Sequence, residues 1–150
     1  MITIARERPD QPEVEALLAS LDAYLHSLYP PEANHILDLQ ALLAPEVRFF
    51  VARNDGRAVG TGAVRLRAGY GEVKRMFVDP GERGQRIGER LLETLELQLR
   101  TEGLIAARLE TGAEQVAAVR LYERYGYRPC AAFGDYPDNG LSVFYEKRLA

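Results

Sequence analysis

Val73-Lys74-Arg75-Met76-Phe77-Val78-Asp79-Pro80-Gly81-Glu82-Arg83-Gly84-Gln85-Arg86-Ile87-Gly88 reads as a strand, a polar loop and the start of a helix. A helix N-terminus offers unpaired N–H groups and the positive end of the helix dipole, so a tight loop there can hold a phosphate or pyrophosphate. Gly84 and Gly88 allow the backbone to approach such a ligand with no Cβ in the way. Arg83 and Arg86 add candidate charge-assisted bonds. Glycine and arginine also serve turn geometry in many such loops, so this segment alone does not decide its ligand. Two phosphate binders are excluded. There is no Gly-Lys-Ser/Thr ending of a P-loop, and no three-glycine dinucleotide fingerprint.

Working outward, Gly71 to Val78 is the strand before the loop. Ile87, Leu91, Leu92, Leu95 and Leu99 trace one face of a long helix to about Glu102, with Gly103 as its stop. Ile105 to Thr111 predicts a strand, Val116 to Tyr125 a helix ended by Gly126, and Tyr127 to Phe133 and Ser142 to Leu149 two closing strands. Upstream, Ile2 to Arg6 reads as a first strand. Val14, Leu17, Leu18, Leu21, Leu25 and Leu28 predict a helix to about Tyr29, stopped by Pro30-Pro31. Ile36 to Leu43 suggests a shorter helix, ended by Pro45. Val47 to Ala52 and Ala58 to Leu66 form a hairpin around Asn54-Asp55-Gly56. This order predicts an α/β (α+β) fold, one mixed sheet flanked by helices.

The 150 residues carry 19 Lys+Arg against 22 Asp+Glu, a net charge of −3, and 47% are hydrophobic. One domain over 1–150 is the expectation. Cys130 is the sole cysteine and His26 and His35 the only histidines, which excludes an intrachain disulfide and argues against zinc. No apolar run reaches the ~20 residues of a membrane span, and the charged Met1–Arg8 segment does not suit a signal peptide. A cytoplasmic protein that binds neither membrane nor nucleic acid is expected.

Arg83-Gly84-Gln85-Arg86-Ile87-Gly88 resembles the Arg/Gln-x-x-Gly-x-Gly/Ala acyl-CoA loop of the GNAT superfamily of N-acetyltransferases, of the small bacterial type. Arg86 stands where the family most often has glycine. Ala118-Val119-Arg120-Leu121-Tyr122-Glu123-Arg124-Tyr125-Gly126-Tyr127 resembles that family's second signature, Ala-x-x-Leu-Tyr-x-x-x-Gly-Phe/Tyr, and Gln115 stands where the family often has asparagine. The resemblance implies the acyl-CoA N-acyltransferase fold, whose mostly antiparallel sheet has splayed central strands. It implies acetyl-CoA as acyl donor, with no metal, and direct attack by an amine in a ternary complex.

By position, Met76, Phe77 and Val78 would present the fourth strand to the pantetheine arm. Arg83, Gly84, Gln85, Arg86, Ile87 and Gly88 would hold the pyrophosphate, with Gln115 a further cofactor contact. Tyr122 is the implied acid for the leaving thiolate. An amine acceptor is mostly protonated at neutral pH, so a base is required, and Glu72 is the first candidate and Glu110 the second. Tyr29, Glu32, His35 and Tyr136 are candidate acceptor contacts. A small amine or a peptide is the expected acceptor, and a homodimer is left open, as is a non-catalytic acyl-CoA-binding module. Cys130, on a late strand without a nearby histidine motif, reads as a small buried hydrophobe.

Overall fold

Alternation along Val47–Asn54 organises the two sides of the molecule. Phe49 and Val51 enter one buried cluster, whereas Phe50 and Ala52 enter another on the opposite face of the sheet. The computed structural model describes residues 1–31 and 36–150. Its elements are β1 (Ile2–Arg6), α1 (Pro12–Leu28), α2 (Leu39–Leu42), β2 (Val47–Asn54), β3 (Arg57–Arg67), β4 (Tyr70–Val78), α3 (Ile87–Thr101), β5 (Ala106–Gly112), α4 (Val116–Arg124), β6 (Arg128–Pro129) and β7 (Ser142–Arg148).

Seven strands form one sheet in the order β1-β2-β3-β4-β5-β7-β6. Every neighbouring pair is antiparallel except β4 and β5. That parallel pair joins only at Gly71↔Ala107 and Glu72↔Arg108, although β4 continues to Val78 and β5 to Gly112. The two strands part beyond Glu72. Splayed central strands in a mixed, mostly antiparallel sheet are therefore observed.

Val14, Leu17 and Leu18 of α1 cover one face with Leu42 of α2, against Val47, Phe49, Val51 and Ala63. On the other face Leu91, Leu92, Leu95 and Leu99 of α3 are fully buried with Val59, Val64 and Leu109. Each such side chain contributes about 1.5–3 kcal/mol of burial, which outweighs the modest helix propensity of a 15-residue segment.

Two sequence expectations are corrected. The second helix is a single turn, capped by the Asp38 side chain accepting from the Ala41 amide at 2.9 Å. The expected strand over Tyr127–Phe133 shrinks to Arg128–Pro129. Pro129 has no N–H to extend a ladder, and Phe133 turns inward to pack edge-on against Tyr70, Tyr136 and Phe144.

Candidate active site

The opening between β4 and β5 starts with a bulge. Thr61 pairs with Phe77 and Ala63 with Lys74, so β4 carries an extra residue opposite Gly62, and Arg75 takes a positive φ of 56°. Buried Thr61 donates from Oγ1 to the Arg75 carbonyl at 2.8 Å. The Arg75 side chain is held on α1, donating to Asp22 Oδ1 at 2.5 Å and to the Leu18 carbonyl at 3.3 Å. Backbone and side chain of the bulge are thus pinned from different elements.

Two cavities meet at this opening. The first, about 90 Å³, is lined by α1 residues Leu21 and Leu25, by Tyr29, by Lys74 and Arg75, and by Glu110, Thr111 and Ser142. The second is a groove of about 450 Å³ running from Arg83 and Gly88 past Val78 and Leu121 to Tyr122. Leu21, Met76, Gln115 and Tyr122 line both.

Tyr122 is buried on α4, its ring tilted against Tyr127, and its hydroxyl makes no hydrogen bond among the described residues. Burial pushes the phenol well above its ordinary range, so it is protonated throughout the physiological range. The two candidate bases are placed differently. Glu110 lines the first cavity and accepts from Ser142 Oγ at 2.6 Å. Glu72 is buried beneath Tyr136 and Lys74: Tyr136 donates its hydroxyl to Glu72 Oε2, and Lys74 Nζ stands 3.7 Å from the same oxygen. Lys74 also donates to the Tyr136 oxygen at 2.7 Å. Desolvation lowers the lysine's pKa, opposed by the charges of Glu72 and Glu110.

Among the expected acceptor contacts, Tyr29 lines the first cavity and lies tight over the end of β5, where its hydroxyl accepts from the Glu114 amide at 3.1 Å. Tyr136 engages β4 through Glu72 and Lys74. Glu32 and His35 lie outside the described residues. Sequence reasoning passed over Lys74, Arg75, Asp22 and Ser142. The available signal was the Lys74-Arg75 pair, two charges breaking the alternation in the middle of a strand.

At the loop, Asp79 caps a short 3₁₀ turn over Pro80–Glu82, accepting from the Gly81 amide at 3.0 Å. Gly84 has φ +90°, and Arg86, the residue before α3, has φ 59°. Arg83 is exposed on the groove and makes no hydrogen bond or ion pair among the described residues, whereas Arg86 donates to Glu89 at 2.6 Å. The Gln85 side chain turns inward to Glu82, at 2.6 Å. The Ile87 side chain is in the core, which leaves its backbone to the loop. A Cβ on Gly88 would sit 3.3 Å from Leu121 Cδ2, so that glycine also lets α3 and α4 approach. Among the described residues no cluster of His, Cys, Asp and Glu is arranged to hold a metal, and no helix is long and apolar enough to cross a membrane.

Residues 14–127 match the family model described as Acetyltransferase (GNAT) family. The chain belongs to the GNAT family. It is similar to the IAA acetyltransferase of Azospirillum brasilense, with 51% identity over 150 residues that cover 99% of this chain and 98% of the relative. A structure from Klebsiella pneumoniae subsp. pneumoniae, assigned as an acyl-CoA N-acyltransferase, superimposes with a TM-score of 0.85 at 41% identity, covering 100% of this chain and 99% of that one. The PaiA N-acetyltransferase of Thermoplasma acidophilum, solved in complex with coenzyme A, shares the fold with a TM-score of 0.74 at 17% identity, over 99% of each chain. This GNAT protein is thus an acetyl-CoA-dependent acetyltransferase. The residues present suit that cosubstrate, because the β4 edge beyond Glu72 is not paired by β5 and borders the groove that ends at the loop before α3.

Proposed function

We propose that this protein acetylates the amine of a compact acceptor seated in the cavity lined by Glu110. The observation that carries the proposal is the sharing of Met76, Gln115, Leu21 and Tyr122 between that cavity and the groove, which brings an acceptor amine and a donor to one place. Acetyl-CoA, when bound, supplies an activated acetyl group as its thioester. Met76, Phe77 and Val78 offer backbone along the groove, Arg83 offers an available guanidinium, and Gly84 to Gly88 offer backbone amides at the N-terminus of α3. Gln115 stands at the N-terminus of α4, where its side chain borders both spaces.

Glu110 is the better placed base. It takes the acceptor ammonium's proton, directly or through one water, while Glu72 sets the position of Lys74 and Tyr136. Tyr122 presents its phenol proton to the departing sulfur. Cys130 takes no part: it lies outside both cavities, and burial together with the charge of Glu146 holds its thiol above the usual range. The small cavity favours a free amine over a peptide chain, and a cytoplasmic setting suits both cosubstrate and acceptor.

Thiol release from acetyl-CoA, screened against amino acids, polyamines, aminoglycosides and peptides, tests this reading. Turnover with a small amine, with intersecting initial-velocity lines, is expected. Parallel lines, or activity confined to peptides, would overturn it.

A further inference from the structure

The Glu82 carboxylate gathers side-chain bonds from the phosphate loop and from the hairpin beside it. The buried Glu82 carboxylate accepts from Gln85 Nε2 at 2.6 Å, from Asn54 Nδ2 at 3.2 Å and from the Arg57 guanidinium. Gln85 belongs to the loop, while Asn54 ends β2 and Arg57 begins β3. The Glu82 carboxylate therefore joins the loop before α3 to the β2–β3 hairpin, beside the Asp79 amide donating to the Val59 carbonyl at 2.8 Å and the Arg57–Asp79 ion pair at 3.9 Å. The hairpin turns through Asp55 and Gly56, both at positive φ, and Asn54 pairs with both Arg57 and Ile2.

This fastening has a chemical logic. Three donors converge on the carboxylate, and the partner guanidinium offsets its charge, so an acid is tolerated beside a loop that binds an anion. The same bonds draw the Gln85 side chain inward, away from the groove. They also hold the chain on either side of Gly84, whose φ of +90° gives no rigidity of its own. The lowered pKa of Glu82, caused first by Gln85, then by Asn54 and Arg57 against desolvation, keeps it ionised as this arrangement needs.

We propose that Glu82 is a positioning residue for pyrophosphate binding, acting through the shape of the loop. The proposal rests on the acetyl-CoA reading above, and its experiment separates the two. Titration calorimetry with CoA and amide-shift titration with pantetheine, which lacks the pyrophosphate, are compared in wild-type protein, Glu82→Gln and Asn54→Ala. Glutamine at 82 presents an amide donor to donors, so CoA binding should weaken about tenfold. Asn54→Ala, at a residue that lines neither the groove nor the acceptor cavity, should weaken it roughly threefold. Pantetheine affinity should be unchanged in both. Unchanged CoA affinity in the two variants overturns the proposal, as does equal weakening of CoA and pantetheine, which would signal a general loss of structure. Failure of the wild-type protein to bind CoA would instead overturn the acetyl-CoA reading.

Discussion

Tyr122 on α4 and Met76 on β4 each line the groove and the cavity, so the two spaces share these walls. In the proposed mechanism a phenol at that junction would serve the departing sulfur beside the arriving amine. Tyr122→Phe removes only the hydroxyl, which makes no hydrogen bond among the described residues. We expect kcat to fall about a hundredfold with KM for acetyl-CoA nearly constant and the melting temperature at or above wild type. Steady-state kinetics and a melting scan check this, and an unchanged kcat would remove Tyr122 from the mechanism.

Glu110 and Glu72 should separate by what their amides damage. Glu110→Gln should lower kcat/KM by roughly tenfold to a hundredfold, with little change in stability. Glu72→Gln alters a buried pairing with Tyr136 and Lys74, so it should cost about 1–3 kcal/mol of stability and change kcat/KM far less than Glu110→Gln does. Denaturant unfolding and steady-state kinetics on both variants decide between them.

Alkaline stability follows from another buried phenol. Tyr127 donates to Glu96 at 3.0 Å, and burial, then that carboxylate, raise its pKa far above the ordinary value. Its folded pKa lies above its unfolded one, so its contribution is complete below about pH 10 and is lost as pH rises beyond that. Tyr127→Phe should therefore lose less stability than wild type between about pH 10 and 11. Parallel unfolding curves for the two proteins over that interval would contradict the assignment.

Gly112 and Gly71 both lack room for a side chain, with different consequences. A Cβ on Gly112 would lie 1.8 Å from Tyr29 Oη, and both residues line the cavity. A Cβ on Gly71 would lie 2.1 Å from Leu99 Cδ2, in the core. Each alanine should cost about 1–3 kcal/mol. Gly112→Ala should also raise the acceptor KM, whereas Gly71→Ala should leave it unchanged, a split that initial-rate measurements across acceptor concentrations resolve.

The long periodic elements were legible because their signal is local: the buried face of α3 and the hairpin at Asp55-Gly56 follow from spacing and turn chemistry. The loop before α3 was legible too, including its departure at Arg86, whose φ of 59° shows why glycine is the commoner residue there. The bulge at Arg75 was not. It depends on a register shift against β3, and its partners Thr61 and Asp22 lie 14 and 53 residues away in the chain. For the same reason the different surroundings of Glu72 and Glu110 were not legible. Position relative to the loop says nothing about a tyrosine 64 residues downstream that covers one carboxylate and leaves the other on the cavity wall.

The brief pairing of β4 with β5 has a mechanical consequence. Strands β1 to β4 and strands β5 to β7 are two plates, sewn together across the sheet by the residue pairs at Gly71 and Glu72. An occupant of the gap beyond Glu72 would bear on both plates at once and act as mortar between them. The stiffness of the assembled molecule, and the firmness of the wall that an acceptor meets, would then depend on whether a donor fills that gap.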